Sequence, residues 1–568
     1  MTRLRNEKDM FQTGKRGGIL NGFRRDEEGS LIIFGLFLFI LMLMIGGLGV
    51  DLMRYEAQRA RLQATLDRAV LAAASMSQPL PPKLVVMDYF QKAGLGGLIT
   101  EDDITVEDFS TYRRVAADVS MVVDSTFLNF MGIDHLNAPG YGAAEESASQ
   151  TEISLVVDVS GSMGNSSSSG NSKIYELRSA AKQFVNILQC DPADGTKTTD
   201  CTVEAGKVSI SLIPYSEQVV AGAALLDSFQ ILNSYNPVTR EHTSSHCIHW
   251  EEEDFEVTSL DLLDPTLVLQ RTGHFDPWRS WDRTPSNWTC KLEDWREILP
   301  YGYSHAALRS QIDRLNASGY TSIDLGMKWG ALLLDPSLQR SLDNLIADGE
   351  VNAAFDDRPF AYSERGISKV VVLMTDGQNT TQHYLHDGNR SGLSPIWHND
   401  MGTPTRLDDD EFSVYRASTE QYYRESNDAW LDHPYGNGES SQQVCSGRRW
   451  WRTCTWQIST EPGTAVQLTF PQLWTMKTWD WYDWFSWLDA GSSHDTSTKD
   501  THLDAICTAA KDQGITIFTV GFETSDRSNG VMANCASSLA HHFDADGTNL
   551  TEAFAAIARE ISKLRLVN

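Results

Sequence analysis

The chain has 568 residues, too many for one hydrophobic core, so several domains are expected. It is 41% hydrophobic and 22% charged, the composition of a globular protein. With 47 Lys plus Arg against 76 Asp plus Glu the net charge is −29, which repels phosphate backbones and excludes nucleic acid as a partner.

Residues 1–29 are basic and include Lys15, Arg16, Arg24 and Arg25. The charge-free run Leu31–Val50 follows, long enough to cross a hydrocarbon core of about 30 Å. The positive-inside rule keeps segment 1–29 in the cytoplasm and sends the body outward, into the periplasm or onto the cell surface. A cleaved signal peptide has a shorter apolar core and a small-residue cleavage site, and charged helix follows directly here at Asp51, Arg54 and Glu56. Leu62, Leu66, Ala69 and Ala73 keep helical spacing, so residues 30–80 read as a transmembrane helix with a continuing stalk, ended by Pro81 and Pro82.

Residues 83–150 read as a small α/β module. Val85–Lys92 is a helix, the alternation from Val115 to Val123 is a strand, and the small, polar Ala138–Gln150 is a linker. Residues 151–568 alternate strand and helix. Ile153–Asp158, Val208–Tyr215, Lys369–Thr375 and Ile515–Phe522 are short apolar runs of the central parallel kind. Helices are expected at Leu177–Leu188, Ser322–Leu334 and Thr551–Leu566. The pattern predicts an α/β fold with a doubly wound, mostly parallel sheet covered on both faces. Loop-rich insertions interrupt it at about 225–304 and 378–500, and every Trp except Trp329 lies in them.

The eight cysteines all lie beyond the apolar run, and none forms a C-x-x-C pair. They suit disulfides in an oxidising compartment. The simplest pairing joins sequence neighbours: Cys190 with Cys201, Cys247 with Cys290, Cys445 with Cys454, and Cys507 with Cys535. Other connectivities, and buried free thiols, stay open.

Asp158-Val159-Ser160-Gly161-Ser162 follows the first strand of this region directly. Ligands of parallel sheets bind beyond the carboxyl ends of the strands. Thr321 opens a later helix and Asp376 ends the Lys369–Thr375 strand, so all three segments reach one rim. Two carboxylates and three hydroxyls suit a hard divalent cation, Mg²⁺ foremost, with Mn²⁺ or Ca²⁺ as alternatives.

This D-V-S-G-S, with Thr321 and the later T-D-G, resembles the metal-ion-dependent adhesion site of von Willebrand factor A domains. The resemblance covers about 151–224, 305–377 and 501–568. It implies direct ligation by Ser160, Ser162 and Thr321, and ligation mainly through water by Asp158 and Asp376. It also implies that an acidic side chain of a protein partner completes the coordination.

A second likeness lies at the two ends of the chain. G-S-L-I-I-F, the apolar span and Asp51-Leu-Met-Arg54 are similar to the start of TadE/TadG-like proteins of bacterial tight-adherence (Flp) pilus assembly, as is the run from Cys507 to Asp546. That family implies a Gram-negative inner membrane, a periplasmic body and pilus components as partners. The fifth residue after Gly29 is Phe34, where prepilins carry Glu, which argues against prepilin processing.

His242, His246 and His249 are spaced for one helix face, but their surroundings read as loop. Trp479–Trp484 fits a binding face or a small core equally. Glu251–Asp254 and Asp408–Glu411 read as solvated loops, and Asp544–Gly547 as a turn before a helix. No nucleophile elbow, P-loop or dinucleotide fingerprint is present, so no enzymatic function is expected. The expectation is an anchored envelope protein whose metal-dependent A domain binds a partner, with the insertion after Asp376 framing the site. The alternative is a minor structural pilus subunit in which the metal only stabilises.

Overall fold

The computed structural model describes residues 28–566 except 76, 77, 79, 109–111, 148, 149, 205, 231–234, 243, 279–283, 303, 365 and 401–410. Lys15, Arg16, Arg24, Arg25 and Asp408 therefore lie outside the described residues. The chain divides into two compact units, residues 1–109 with 113–146 and residues 110–112 with 147–568.

In the first unit one helix, Glu28–Ala74, carries both the apolar run and the amphipathic stretch after it. By length and composition it is able to cross a membrane. Leu62, Leu66, Ala69 and Ala73 are fully buried. They pack in one core with the helix Pro82–Lys92 and a three-stranded antiparallel sheet. Its strands are β1 (Ile104–Asp108), β2 (Tyr112–Asp124) and β3 (His135–Ser147). Pro82 cannot continue one helix, yet its fixed φ suits it to open the next.

The expected linker Ala138–Gln150 is corrected here: Ala138–Ser147 belongs to β3, and Gln150 begins the next strand. Its small residues serve close packing. A Cβ on Gly140 would meet Leu62 at 3.4 Å, and one on Gly142 would meet Leu66 at 3.0 Å. Bulk had been removed where strand meets helix, which in sequence looks like a flexible segment.

The second unit is built on β4 (Gln150–Asp158), β5 (Val208–Tyr215), the short β6 (Leu299–Gly302) and β7 (Ile367–Thr375). After β7 the chain leaves for β8 (Gln382–Leu385) through β16 (Gly491–His494), and it returns as β17 (Thr516–Phe522) and β18 (His542–Ala545). The core sheet runs β18-β17-β7-β4-β5-β6, with only β6 antiparallel to its neighbour. Both faces are covered, so alternate residues of β4 enter different cores. Leu155 and Val157 pack with the helices Lys173–Gln189 and Leu550–Leu566, and Val156 packs with the helix Ile323–Leu332. This two-sided burial is why the central strands read as unbroken apolar runs.

The second insertion is not loop-rich, which corrects the sequence expectation. It holds β9 (Leu393–Asn399), β10 (Glu411–Arg416), β11 (Gln421–Arg424), β12 (Ala429–Leu431) and β15 (Ala465–Thr469) in a five-stranded antiparallel sheet of order β12-β11-β10-β9-β15, and an aromatic core that includes Trp474, Trp481, Tyr482 and Phe485. Trp481 and Tyr482 are buried while Trp484 is half exposed, so the Trp-rich run is mainly core. Phe275 of the first insertion belongs to the same core, and Trp479 N–H donates to Asp276 O. β8 and β16 pair at the neck of the insertion.

Four disulfides are present: Cys190–Cys201, Cys247–Cys290, Cys445–Cys454 and Cys507–Cys535. No cysteine is free.

Candidate metal centre

The loop after β4 places its side chains by ordinary local forces. Ser160 stands at the N-cap of the 3-10 turn Gly161–Gly164, but its hydroxyl makes no capping bond. It lies 3.0 Å from Ser162 Oγ instead. Ser162 Oγ donates to Asp376 Oδ1 at 2.6 Å. Asp158 accepts Ser160 N–H on Oδ1 at 2.7 Å and Thr375 Oγ1 on Oδ2 at 2.8 Å. Four of the five expected residues are thus joined by hydrogen bonds at the carboxyl ends of β4 and β7.

Thr321 reaches the same rim through its backbone. Gly161 N–H donates to Gly319 O at 2.8 Å, and Ser318 N–H donates to Val159 O at 2.9 Å. Gly319 has φ +93°, and Ser216 Oγ would lie 3.1 Å from a Cβ there. Glycine is therefore required at the turn that lays this segment on the Ser160 loop. Thr380, just after Asp376, donates its hydroxyl to Thr321 O and accepts Thr321 N–H.

Charge in this pocket is uneven. The side chains of Asp158 and Asp376 are fully buried. Burial, and then the neighbouring Asp376, push the Asp158 carboxyl well above the usual carboxylate range. Among the described residues no hydrogen-bond donor is aligned on Asp376 Oδ2; the Lys173 ammonium stands 3.1 Å away as an ion pair. Two buried carboxylates, an unaligned carboxylate oxygen and a pair of hydroxyls facing each other fit a hard divalent cation.

Several contributors were not foreseen in the sequence. Lys173 opens the helix Lys173–Gln189, where a cation opposes the helix dipole, and that placement was the available signal. Lys499, fully buried, donates to Thr321 O, Ser322 Oγ and Thr380 O. Glu217, after β5, accepts Tyr320 N–H. Arg296 and Lys291 of the first insertion bond Ser318. Trp278 stacks on Tyr320 at 4.0 Å, and His383 meets Trp278 edge-on, so both insertions stand beside this rim. His242, His246 and His249 lie in loop and are not among the clusters able to hold a metal among the described residues.

The sheet order, the two-sided helical cover and the D-V-S-G-S loop at the carboxyl rim make this unit a doubly wound, mostly parallel α/β domain with its candidate site at the carboxyl ends of the strands. Residues 29–76 match the family model described as putative Flp pilus-assembly TadE/G-like, which supports a pilus-related role. No curated protein matches the chain. Solved structures are similar at low identity. The vWF domain of the type V pili tip protein Mfa5 from Porphyromonas gingivalis is 13% identical, with TM-score 0.30, over 74% of this chain and 98% of that one. The PilB minor pilin from Streptococcus sanguinis is 12% identical, with TM-score 0.28, over 81% and 77%. Proximal thread matrix protein 1 from the mussel byssus, with a zinc-occupied MIDAS motif, is 10% identical, with TM-score 0.24, over 72% and 46%.

Proposed function

We propose that this chain is a non-enzymatic envelope protein, anchored by Leu31–Val50, whose A domain binds a protein partner through a divalent cation in pilus assembly or adhesion. The observation that carries the reading is the convergence of Asp158, Ser160, Ser162 and Asp376 at one strand rim. Ser160, Ser162 and Thr321 would hold the ion directly, with Asp158 and Asp376 behind them; Mg²⁺ suits this oxygen set best. A bound cation ligated mainly by neutral hydroxyls supplies an electrophilic position for an acidic side chain of the partner. The N-terminus faces the cytoplasm and the body the periplasm or cell surface, as the basic flank of the span directs.

The aromatic wall of Trp278, Tyr320 and His383 frames the rim and selects which partner approaches. Thermal melting of the full chain in detergent, in Mg²⁺, Mn²⁺ or EDTA, tests the metal. Saturation near a hundred times the dissociation constant should add about 2.7 kcal/mol in wild type and nothing in Asp158→Ala. Absence of a shift in wild type would favour a structural role without the ion.

A further inference from the structure

Within the first unit, the turn between β2 and β3 carries Phe127-Leu128-Asn129-Phe130-Met131-Gly132-Ile133, bracketed by Asp124 and Asp134. Leu128 is buried, but Phe130 is 86% exposed and Met131 60%. A lone exposed apolar side chain needs no explanation, whereas a cluster at one tip does.

The turn is fastened to the long helix where the apolar run ends. The Asp51 carboxylate accepts the backbone N–H groups of Thr126, Phe127 and Leu128. Arg54 Nη1 donates to Thr126 Oγ1 at 2.8 Å. One turn back along the helix, Phe127 rests on Gly47, where a Cβ would lie 2.4 Å from its ring. Gly47 is buried in a run that is otherwise largely exposed. From there the tip continues along the apolar run: Phe130 and Met131 line a groove with Ile40, Leu43, Met44 and Leu48. Ile40 to Leu48 is about 12 Å of helix.

We propose that this tip enters the hydrocarbon of the membrane beside the helix, as a second, monotopic anchor, and that lipid acyl chains fill the groove. The proposal rests on reading Leu31–Val50 as the membrane span. Depth carries it: a turn packed against Ile40–Leu48 shares whatever solvent surrounds those residues. Most backbone N–H groups of the turn also meet the condition that lipid imposes, which is internal satisfaction of polar groups. Asp51 takes three N–H groups, and those of Phe130, Gly132 and Ile133 donate to Phe127 O, Asn129 O and Leu128 O. Two attachment points fix the rotation of the helix about its axis, and with it the direction in which the β1–β3 module leaves the surface.

The test uses the full chain in phosphatidylcholine–phosphatidylglycerol liposomes. All native cysteines are paired, so one introduced thiol can be nitroxide-labelled alone. Labels go on Phe130→Cys, on Phe37→Cys within the span and outside the groove, and on the exposed Tyr141→Cys of β3. Collision rates with oxygen and with a neutral nickel chelate are compared. Phe130 should share the high oxygen-to-nickel ratio of Phe37, several-fold above that of Tyr141. A water-like ratio at Phe130 with a lipid-like ratio at Phe37 overturns the proposal and leaves the span standing. Water-like ratios at both remove the span reading, and the proposal with it. Shielding of Phe130 from both reagents, with spin coupling between copies, assigns the groove to a second chain and also overturns it.

Discussion

The ammonium of Lys173 lies 3.1 Å from Asp376 Oδ2, and the Asp376 side chain is fully buried. A second carboxylate, Glu523, is 3.9 Å from the same ammonium. Lys173 thus supplies a positive charge beside the carboxylates that a divalent cation would use.

Lys173→Met should therefore cost much more stability without metal than with it. In EDTA, breaking a buried pair costs about 3–5 kcal/mol, and melting falls accordingly. In saturating Mg²⁺ or Mn²⁺ most of that deficit should vanish, which by linkage requires the cation to bind about thirtyfold tighter or more, roughly 2 kcal/mol. Calorimetric titration beside melting checks both. Equal melting of variant and wild type in EDTA would remove the charge-compensation argument.

Glu217 makes stability depend on pH. Burial pushes its carboxyl up to about 8 from 4.5, against the opposing pull of Tyr320 N–H and Lys291. Between these values the folded state keeps a proton that the unfolded chain has released. Stability is therefore full below 4.5, falls as pH rises toward 8, and is flat above. Glu217→Gln should remove this slope and stabilise the protein at pH 8–9 by on the order of 5 kcal/mol at most. Asp158 is shifted in the same direction, so the informative quantity is variant minus wild type across denaturant melts from pH 5 to 9.

The core sheet was legible in the sequence because β4, β5 and β7 are buried on both faces and so are apolar throughout. The D-V-S-G-S loop was legible because its chemistry is contiguous in sequence. Lys499 and Glu217 were not, since each reaches the rim from another element and neither lies in a local pattern. The second insertion hid its sheet for a different reason. The strands of that sheet are only three to seven residues long, and β13 (Glu439–Ser446) and β14 (Thr453–Thr460) form an outlying hairpin in which the alternating Cys454, Trp456 and Ile458 of β14 face no core.

Lys499 holds the Thr321 segment from beneath, through Thr321 O at 3.0 Å, Ser322 Oγ at 2.5 Å and Thr380 O at 3.0 Å. Lys499→Met leaves those acceptors and Asp324, 3.7 Å away, without their cation. A hydrogen bond to a charged group is worth about 1.5–3 kcal/mol, so the loss should be at least that. Amide exchange at Thr321 and Ser322 should rise and cation affinity should fall. Arginine should not rescue, because a planar fork cannot replace a compact ammonium among three converging oxygens. Unchanged exchange at these amides would mean that Thr321 is held by Thr380 alone.

Gly326 offers a test whose sign is informative. On an exposed helix, Gly→Ala stabilises by about 1 kcal/mol. Here a Cβ would meet Tyr215 at 2.7 Å and Val156 at 3.0 Å. Tyr215 is fully buried, and its hydroxyl donates to Met374 O at 2.9 Å, so the ring cannot swing aside without losing that bond. Overpacking costs about 1–3 kcal/mol and should outweigh the helix gain. The helix Ile323–Leu332 would move outward and carry Ser322, whose N–H donates to Ser216 O and whose hydroxyl donates to Glu217 O. Gly326→Ala should therefore lower the melting temperature and also shrink the increment that Mg²⁺ adds, because Thr321 precedes the displaced turn. Stabilisation by Gly326→Ala would mean that the spacing between this helix and the sheet does not set the geometry of the metal rim.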